Sequence, residues 1–402
     1  MSIYNNNDSE NNENNENNNN ENKIKSFEKW DQLENIKDDL LRGIYAIGFE
    51  TPSPIQQKAI IPMFEKNDVV AQAQSGTGKT GAFSVSTLNI IDITQNKTQA
   101  LLLAPTRELA LQTSEVITSL GEYMNGLKVQ LLVGGTSVDE DIRNLKNNTP
   151  HIIVGCPGRT HDMMKKNHVN NSNIKLIILD EADEMLCVGF KEQVYNIFQF
   201  LNKDVQVGLF SATLPYEINS LTDKFMRNPV KILVKDEDLT LEGIKQFYIN
   251  LEHNEYKYET LCDLYDLCSV SQTIIYCNSR TMVEELYRRL GEDNFSCVCM
   301  HGDLSQEDRN QIMSEFRNGT SRILISTDLL SRGIDVQQVS LVINYDIPNN
   351  IESYIHRIGR SGRYGRKGTS INFLTRYDIK KMKDIEEYYH TIIEELPSDF
   401  KL

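Results

Sequence analysis

The sequence predicts an α/β protein of two domains, each a mostly parallel sheet flanked by helices, joined by a short linker. Three observations support this prediction. The chain has 402 residues, which suits two domains of about 150–200 residues each. Short apolar runs alternate with helix-like segments, as in parallel β-α units. The alternation occurs twice, and only its first occurrence contains a glycine-rich loop of phosphate-binding type.

Composition divides the chain into four segments. Residues 1–25 are rich in asparagine and lack a hydrophobic pattern, so we expect a disordered tail. Residues 26–234 form the first predicted domain, and residues 243–402 form the second. The linker is placed at 235–242 because the charged run 235–238 follows the last strand of the first half.

Each predicted strand runs directly into a polar motif. In the first domain we expect strands at 69–73, 100–104, 129–133, 151–154, 176–179 and 206–210. In the second domain we expect strands at 273–276, 297–300, 322–325 and 341–344, and then a helix from about Ile351. Ligands of such sheets bind beyond the carboxyl ends of the strands, and all of these motifs fall there.

The first strand runs into a phosphate-binding loop, Ala73-Gln74-Ser75-Gly76-Thr77-Gly78-Lys79-Thr80. Its glycines let backbone N–H groups close around phosphate oxygens, and the following helix, predicted over 80–91, adds positive potential at its start. In such a loop Lys79 reaches the outer phosphates and the Thr80 hydroxyl meets Mg²⁺.

Further motifs complete a site for hydrolysis of a nucleoside triphosphate. A second apolar strand delivers Asp180 and Glu181 to the same sheet edge, where one carboxylate can hold the metal ion and the other can orient water. Charge that develops on the γ-phosphate must be met by an arginine from elsewhere. Arg360 and Arg363 lie three residues apart on one predicted helix face and suit this role. The alternative is a surface pair that contacts local carboxylates.

Composition also limits the class of protein. Apolar residues make up 39% and charged residues 25%, as in soluble globular proteins, and no apolar stretch approaches membrane-spanning length. The start of the chain lacks a signal region, so we expect an intracellular protein with seven reduced cysteines. We expect Cys297 and Cys299 to be buried rather than metal-bound. A net charge of −15 excludes binding of nucleic acid by bulk electrostatics and leaves binding by a local groove.

Taken as a set, these motifs resemble those of the DEAD-box RNA helicases, especially the initiation factor 4A group with its exon-junction relative. The resemblance runs from about Ser26 to Pro397 and includes the motifs at 48–56, 180–183 and 356–363. It implies two RecA-like domains and an ATP-dependent RNA helicase. Such an enzyme binds single-stranded RNA and unwinds short duplexes locally, here with a role in translation initiation.

The resemblance also implies roles for residues of the nucleotide site. Gln56 pairs with the adenine edge, Asp180 assists Mg²⁺ binding through water, and Glu181 orients the attacking water. Ser211 and Thr213 couple hydrolysis to domain closure, or alternatively cap the next helix. The residues implied to contact ATP are Thr51, Gln56, Gln74, Ser75, Gly76, Thr77, Gly78, Lys79, Thr80, Asp335, Arg360, Arg363 and Tyr364.

RNA contacts are implied in both domains. Backbone N–H groups and arginines contact phosphates while few groups can read base edges, so binding should be largely independent of sequence. Contacts to 2′-hydroxyls favour RNA over DNA. The implied RNA-binding residues are Pro105, Thr106, Arg107, Gly134, Gly135, Gly158, Arg159, Asn278, Arg280, Gly302, Asp303 and Thr327.

Three residues depart from the family pattern or map to it in more than one way. Trp30 takes the place of an upstream aromatic residue of the family, or is a packed core residue. Cys156 stands where the family usually has threonine, which removes a possible hydroxyl contact to RNA, and Ser331 replaces a usual alanine.

The expected cofactors are ATP and Mg²⁺, and the expected partners are RNA and a protein scaffold of initiation-factor-4G or exon-junction type. We expect a monomer without membrane association in the cytoplasm, with the nucleus as the alternative. One competing hypothesis is an ATP-gated RNA clamp that nucleates an exon-junction-type or other RNA-processing complex. A DNA helicase of the same superfamily is disfavoured by Gln56 and by the Asp-Glu-Ala-Asp motif.

Overall fold

The computed structural model describes residues 26–73, 76–187, 189–233, 244–267, 272–328, 339–361, 368–397 and 400. The predicted tail at 1–25 and the predicted linker at 235–242 lie outside these residues. So do several predicted site residues and one departure, namely Gln74, Ser75, Ser331, Asp335, Arg363 and Tyr364. Within the described part of the chain, no helix combines the length and the apolar character needed to cross a membrane.

The first of two lobes is built on a seven-stranded sheet. Its strands are β1 Val69–Gln72, β2 Ala100–Leu103, β3 Val129–Leu132, β4 Ile152–Gly155, β5 Leu176–Asp180, β6 Gln206–Ser211 and β7 Val230–Leu233. They lie in the order β3-β4-β2-β5-β6-β1-β7, and every pairing is parallel. The carboxyl ends of β1, β6 and β5 are therefore adjacent, which brings the phosphate loop and the acidic motif to one edge.

Helices cover the first sheet, and several begin at residues with typical capping chemistry. They are α1 Asp38–Ala46, α2 Pro54–Phe64, α3 Lys79–Ile90, α4 Arg107–Leu120, α5 Val138–Asn147, α6 Pro157–Lys165, α7 Ala182–Cys187, α8 Lys191–Gln199 and α9 Tyr216–Phe225. The Thr106 and Ser137 side chains accept hydrogen bonds from the first turns of α4 and α5. Three-residue 3₁₀ helices lie at Trp30–Gln32 and Asn171–Asn173.

The second lobe repeats this architecture. Its strands are β8 Ile244–Leu251, β9 Thr273–Tyr276, β10 Cys297–Met300, β11 Ile323–Ser326, β12 Leu341–Asn344, β13 Gly368–Thr375 and β14 Glu394–Glu395. They lie in the order β10-β11-β9-β12-β13-β8-β14, again with every pairing parallel. Its helices are a 3₁₀ turn Asn254–Tyr256, α10 Lys257–Leu267, α11 Arg280–Glu292, α12 Gln306–Arg317, α13 Ile351–Ile358 and α14 Ile379–Tyr389.

These two parallel sheets confirm the predicted α/β class. Central strands such as β2, β4 and β5 are buried at every residue because helices cover both faces, which is why they occur as continuous apolar runs in the sequence. The ten predicted strands are present, with ends that differ by about one residue.

The predicted strand list omitted β7, β8, β13 and β14. Strand β8 mixes buried and exposed residues, and β14 has only two residues. All eight residues of β13 are buried, but Thr369, Ser370 and Asn372 interrupt its apolar run. A search for continuous apolar runs misses such strands.

Candidate nucleotide cleft and RNA-binding surface

The described part of the phosphate loop has the backbone that its glycines permit. Gly76 and Gly78 have φ angles of 82° and 101°, in the left-handed region that favours glycine. A Cβ atom on Gly78 would lie 2.7 Å from Ser53 Oγ and 2.9 Å from Gln56 Nε2, so α2 packs directly against the loop. Gly78 immediately precedes α3, and Thr80 is half-buried in the first turn of that helix. This arrangement places the loop at a helix N-terminus, as anion binding requires.

Lys79 and Glu181 form a buried ion pair. The Lys79 Nζ atom lies 3.3 Å from Glu181 Oε1 and 3.0 Å from the Ala73 carbonyl oxygen, to which it donates. Their side chains are 5% and 6% exposed. The lysine predicted to reach the outer phosphates and the glutamate predicted to orient the attacking water are therefore in direct contact, although 102 positions separate them in the sequence.

Glu181 has an unusual backbone. Its φ angle is 49°, a conformation in which a non-glycine residue is strained by about 1–3 kcal/mol. The strain occurs where β5 ends and α7 begins, and the Glu181 N–H donates to Asp180 Oδ1 at 3.1 Å. Burial and the neighbouring Glu181 carboxylate together raise the pKa of Asp180 to about 7, although Lys79 opposes the shift. Such a site favours cations near the two carboxylates.

Asp183 connects the two lobes. Its Oδ2 atom accepts from Thr213 Oγ1 at 2.6 Å and lies 3.2 Å from His356 Nε2 of the second lobe, and its N–H donates to Ser211 Oγ at 3.3 Å. The helix after Thr213 starts at Tyr216 with Pro215 at its N-cap, so Ser211 and Thr213 do not cap it. Asp183 and His356 lie within the motifs at 180–183 and 356–363, but the sequence predicted a role for neither residue.

Gln56 contacts the phosphate loop as well as its own helix. Its Nε2 atom donates to the Gly78 carbonyl oxygen at 3.2 Å, and its Oε1 atom accepts from the Ser53 N–H at 2.8 Å. Thr51 is exposed just before α2. Trp30 is fully buried, 6.4 Å from the Phe49 ring centroid, and packs in the core.

A cavity of about 550 Å³ lies between the lobes at this edge. The first lobe contributes Gly76, Gly78, Lys79, Thr80, Asp180 and Glu181 to its wall, together with residues of α4 and Phe49. Arg317 and Arg360 of the second lobe line the same cavity. Its volume falls within the usual range for small-molecule sites.

The prediction for Arg360 needs a correction. Helix α13 ends at Ile358 and Gly359 follows as its C-cap, so Arg360 lies beyond the helix and not on its face. Arg360 Nε donates to the His356 carbonyl oxygen at 3.2 Å. Gly359 keeps right-handed α dihedral angles, with φ −61° and ψ −4°, so no left-handed glycine cap marks the end of the helix.

The predicted RNA-binding residues of the first lobe lie at the starts of helices and beside glycines. Pro105 is buried, and Thr106 caps α4 by accepting from the Leu109 N–H at 3.2 Å. The Arg107 guanidinium packs against Gly134 and Gly135, where a Cβ atom on Gly135 would lie 2.6 Å from Arg107 Nη1.

Arg159 is half-buried and already paired. It forms an ion pair with Asp141 and donates to the Thr136 carbonyl oxygen at 2.9 Å. Burial raises the pKa of Asp141 although Arg159 opposes the shift. Gly158 is exposed at the start of α6, and Cys156 before it is a buried core residue.

The second lobe presents a similar set of paired groups. Arg280 forms an exposed ion pair with Asp303, and Thr327 is half-buried directly after β11. Asn278 is exposed, and its side-chain amide donates to the Ile347 carbonyl oxygen at 2.8 Å.

A second contact between the lobes, besides that of Asp183 with His356, was not predicted from the sequence. Arg309 donates to the Gly302 carbonyl oxygen and lies 3.5 Å from Glu108 of the first lobe. It therefore joins two of the predicted RNA-binding segments.

The fold and the cleft define a two-lobed nucleotide-binding protein, and comparisons identify its family. Residues 53–221 match the DEAD/DEAH box helicase family, and residues 256–365 match the helicase conserved C-terminal domain. The chain is 56% identical to the ATP-dependent RNA helicase eIF4A of Scheffersomyces stipitis, over 92% of this chain and 93% of that protein. It is 53% identical to eukaryotic initiation factor 4A-III homolog B of Oryza sativa, over 93% and 92% of the two chains.

A solved structure agrees with these matches. The fold superposes on S. cerevisiae Dbp5 bound to RNA and ADP BeF3 with a TM-score of 0.84 at 34% identity, covering 93% of this chain and 95% of that chain. The chain belongs to the DEAD/DEAH box helicase family, within its initiation factor 4A group of ATP-dependent RNA helicases.

Proposed function

We propose that the interlobe cleft binds ATP with Mg²⁺ and hydrolyses it when RNA draws the lobes together. The observation that carries this proposal is the single cavity lined by Lys79, Glu181 and Arg360. Two of these residues come from one lobe and the third from the other. Hydrolysis that needs all three therefore depends on closure.

The Lys79–Glu181 ion pair supports a specific exchange. When the outer phosphates of ATP contact Lys79, they replace Glu181 as the partner of its ammonium group. Glu181 then becomes available to orient the attacking water, and Arg360 meets the charge that develops on the γ-phosphate. Gln56, which already contacts the loop at Gly78, pairs with the adenine edge.

The oxygen donors near the loop fit Mg²⁺. The Thr80 hydroxyl and the Asp180 carboxylate line one cavity, and hard oxygen ligands of this kind suit a magnesium ion. Burial has raised the pKa of Asp180, so a bound cation would also stabilise its charged form. When bound, the ion neutralises charge on the phosphates.

The RNA-binding residues fit a grip on the sugar–phosphate backbone. Arg159 and Arg280 are paired with Asp141 and Asp303, so their charge is partly neutralised. Backbone N–H groups near Gly134, Gly135 and Gly158 then carry much of the contact, which fits a chain with a net charge of −15. We infer binding that is largely independent of sequence, with local separation of short duplexes.

In the cell, we infer a role in cytoplasmic translation initiation, as a monomer that works with a scaffold of initiation-factor-4G type. The relatives named eIF4A support this inference. The relatives named initiation factor 4A-III support a second candidate function, an ATP-gated RNA clamp in an RNA-processing complex. Their sequence identity to this chain is 53%, only slightly lower than the 56% of an eIF4A relative. Identification of co-purified proteins separates the two, since a translation scaffold and an exon-junction-type complex share few components.

Steady-state ATP hydrolysis with and without oligouridine tests the enzymatic proposal. RNA should raise the wild-type rate, and Glu181→Gln should abolish turnover while ATP still binds. Glu192→Gln changes an exposed glutamate of the same lobe and serves as the matched control, with wild-type turnover. Equal turnover with and without RNA would contradict the proposal.

A further inference from the structure

Five buried polar side chains form a row through the second lobe, and none of them has a role in the site described above. This polar row consists of Gln246 on β8, Asn372 on β13, Asn344 on β12, and Tyr354 and Arg357 on α13. Gln246 is 7% exposed and the other four are fully buried. Polar groups at such depth are retained only where hydrogen bonds compensate for the loss of water.

The first half of the polar row links α13 by hydrogen bonds to strands β13 and β8. Tyr354 donates its hydroxyl to Gln246 Oε1 at 2.9 Å, and Gln246 Nε2 donates to Thr391 Oγ1 at 2.8 Å. Asn372 Nδ2 donates to the Tyr354 hydroxyl at 3.3 Å and to the Phe247 carbonyl oxygen at 2.9 Å.

The second half leads to the edge of the sheet that faces the first lobe. Asn344 Nδ2 donates to Asn372 Oδ1 at 2.8 Å, and Arg357 Nη1 donates to Asn344 Oδ1 at 3.2 Å. Arg357 Nη2 also donates to Asn278 Oδ1 at 2.8 Å, and its Nε atom donates to Asp328. Each of the three nitrogen atoms of the buried Arg357 guanidinium therefore donates to an acceptor.

Helix α13 is short and carries groups that face the first lobe. His356 contacts Asp183, and Arg360 lies just after the helix with its Nε atom bonded to the His356 carbonyl oxygen. Apolar packing alone is non-directional and would allow an eight-residue helix to shift. Hydrogen bonds from Tyr354 and Arg357 fix its register on the sheet, because each has a short range and a preferred angle.

We propose that the polar row positions α13, so that Asn344, Asn372 and Tyr354 are positioning residues for ATP hydrolysis through His356 and Arg360. The proposal rests on the proposed function of the cleft, since it assumes that Arg360 meets the γ-phosphate. A displacement of about 1 Å in such a group lowers a rate by roughly a hundredfold.

Two variants test the proposal. Asn344→Leu with Asn372→Leu replaces the amide pair by apolar side chains of similar length, so neither amide loses the other. The double variant also removes one acceptor from Arg357 and one donor from the Phe247 carbonyl oxygen, and the thermal midpoint reports the cost. Tyr354→Phe removes a single hydroxyl and provides a second test of the proposal if the double variant does not fold. Gln272→Leu is the matched control: Gln272 is a buried amide of the same lobe whose Nε2 atom donates to the Phe316 carbonyl oxygen, away from α13.

The readouts are RNA-stimulated turnover, affinity for fluorescent ADP, and thermal midpoint. We expect turnover to fall at least tenfold in the double variant and at least threefold in Tyr354→Phe. ADP affinity should stay unchanged, because the first lobe supplies the phosphate loop, and Gln272→Leu should keep wild-type turnover. Adding Arg360→Lys to the double variant should lower turnover by less than the product of the separate effects, since both act through one group.

Wild-type turnover in Tyr354→Phe or in the folded double variant overturns the proposal. A fall in ADP affinity as large as the fall in turnover overturns it as well. Arg360→Ala separates this failure from failure of the proposed function. If Arg360→Ala keeps wild-type turnover, the proposed function fails. If it abolishes turnover while the polar-row variants remain active, only the positioning proposal fails.

Discussion

Removal of Lys79 should destabilise the nucleotide-free first lobe, and a second substitution at Glu181 should restore it. Lys79 and Glu181 are buried and 3.3 Å apart, so Lys79→Met leaves a carboxylate without its cation beside Asp180. Loss of one partner of a buried pair costs about 3–5 kcal/mol. We expect the lower end, about 3 kcal/mol, because both groups line the cavity and water can reach them.

Thermal unfolding of the full chain without nucleotide measures this effect. For a lobe of about 200 residues, 3 kcal/mol corresponds to a fall in midpoint of about 6–12 °C. Glu181→Gln added to Lys79→Met removes the unpaired carboxylate and should recover most of that fall. Lys58→Met alters an exposed lysine on α2 of the same lobe and should leave the midpoint unchanged.

Either of two results would refute the reasoning. If Lys79→Met melts at the wild-type temperature, the ion pair does not stabilise the nucleotide-free lobe. If the double variant melts as low as Lys79→Met alone, the loss comes from something other than the orphaned carboxylate, such as the contact between Lys79 and the Ala73 carbonyl oxygen.

Three further predictions concern other parts of the protein. Gly135→Ala should weaken RNA binding several-fold in electrophoretic mobility shifts, because Gly135 has a φ angle of 84° and packs against Arg107. Gly291→Ala is the control and should leave RNA binding unchanged, because Gly291 lies in α11 with open space around its Cβ. Cys156 should resist iodoacetamide in the native protein at pH 8, because burial raises the pKa of its thiol to about 12. At that pH roughly one thiol in ten thousand is ionised, and rapid labelling seen by mass spectrometry would contradict the prediction. Asp183→Asn should lower RNA-stimulated turnover about tenfold or more at unchanged ADP affinity, because it removes the charge that faces His356 and Thr213. Unchanged turnover would show that this contact does not couple the lobes.

Much of the candidate nucleotide site could be predicted from the sequence because its chemistry is local. A phosphate loop needs glycines, a lysine and a hydroxyl within eight positions, and Asp180 and Glu181 are adjacent at the end of an apolar strand. Parallel strands bring such motifs to one edge without any knowledge of side-chain contacts. The α/β class followed from the same alternation of strand and helix.

Contacts between distant positions were not accessible in this way. Asp183 and His356 are separated by 173 positions, and their contact depends on how the lobes approach each other. The position of Arg360 after α13 depends on the end of a helix, which periodicity places only within a few residues.

The amino-acid sequence was sufficient to predict two α/β lobes, a phosphate-binding loop and the acidic motif, since each depends on short-range pattern and residue chemistry. It took the folded chain to reveal that Lys79 pairs with Glu181, that Asp183 contacts the second lobe, and that a polar row crosses β13. These facts concern which buried groups satisfy one another. A single sequence does not specify such pairings, because they form only when remote segments pack together and lose their contact with water.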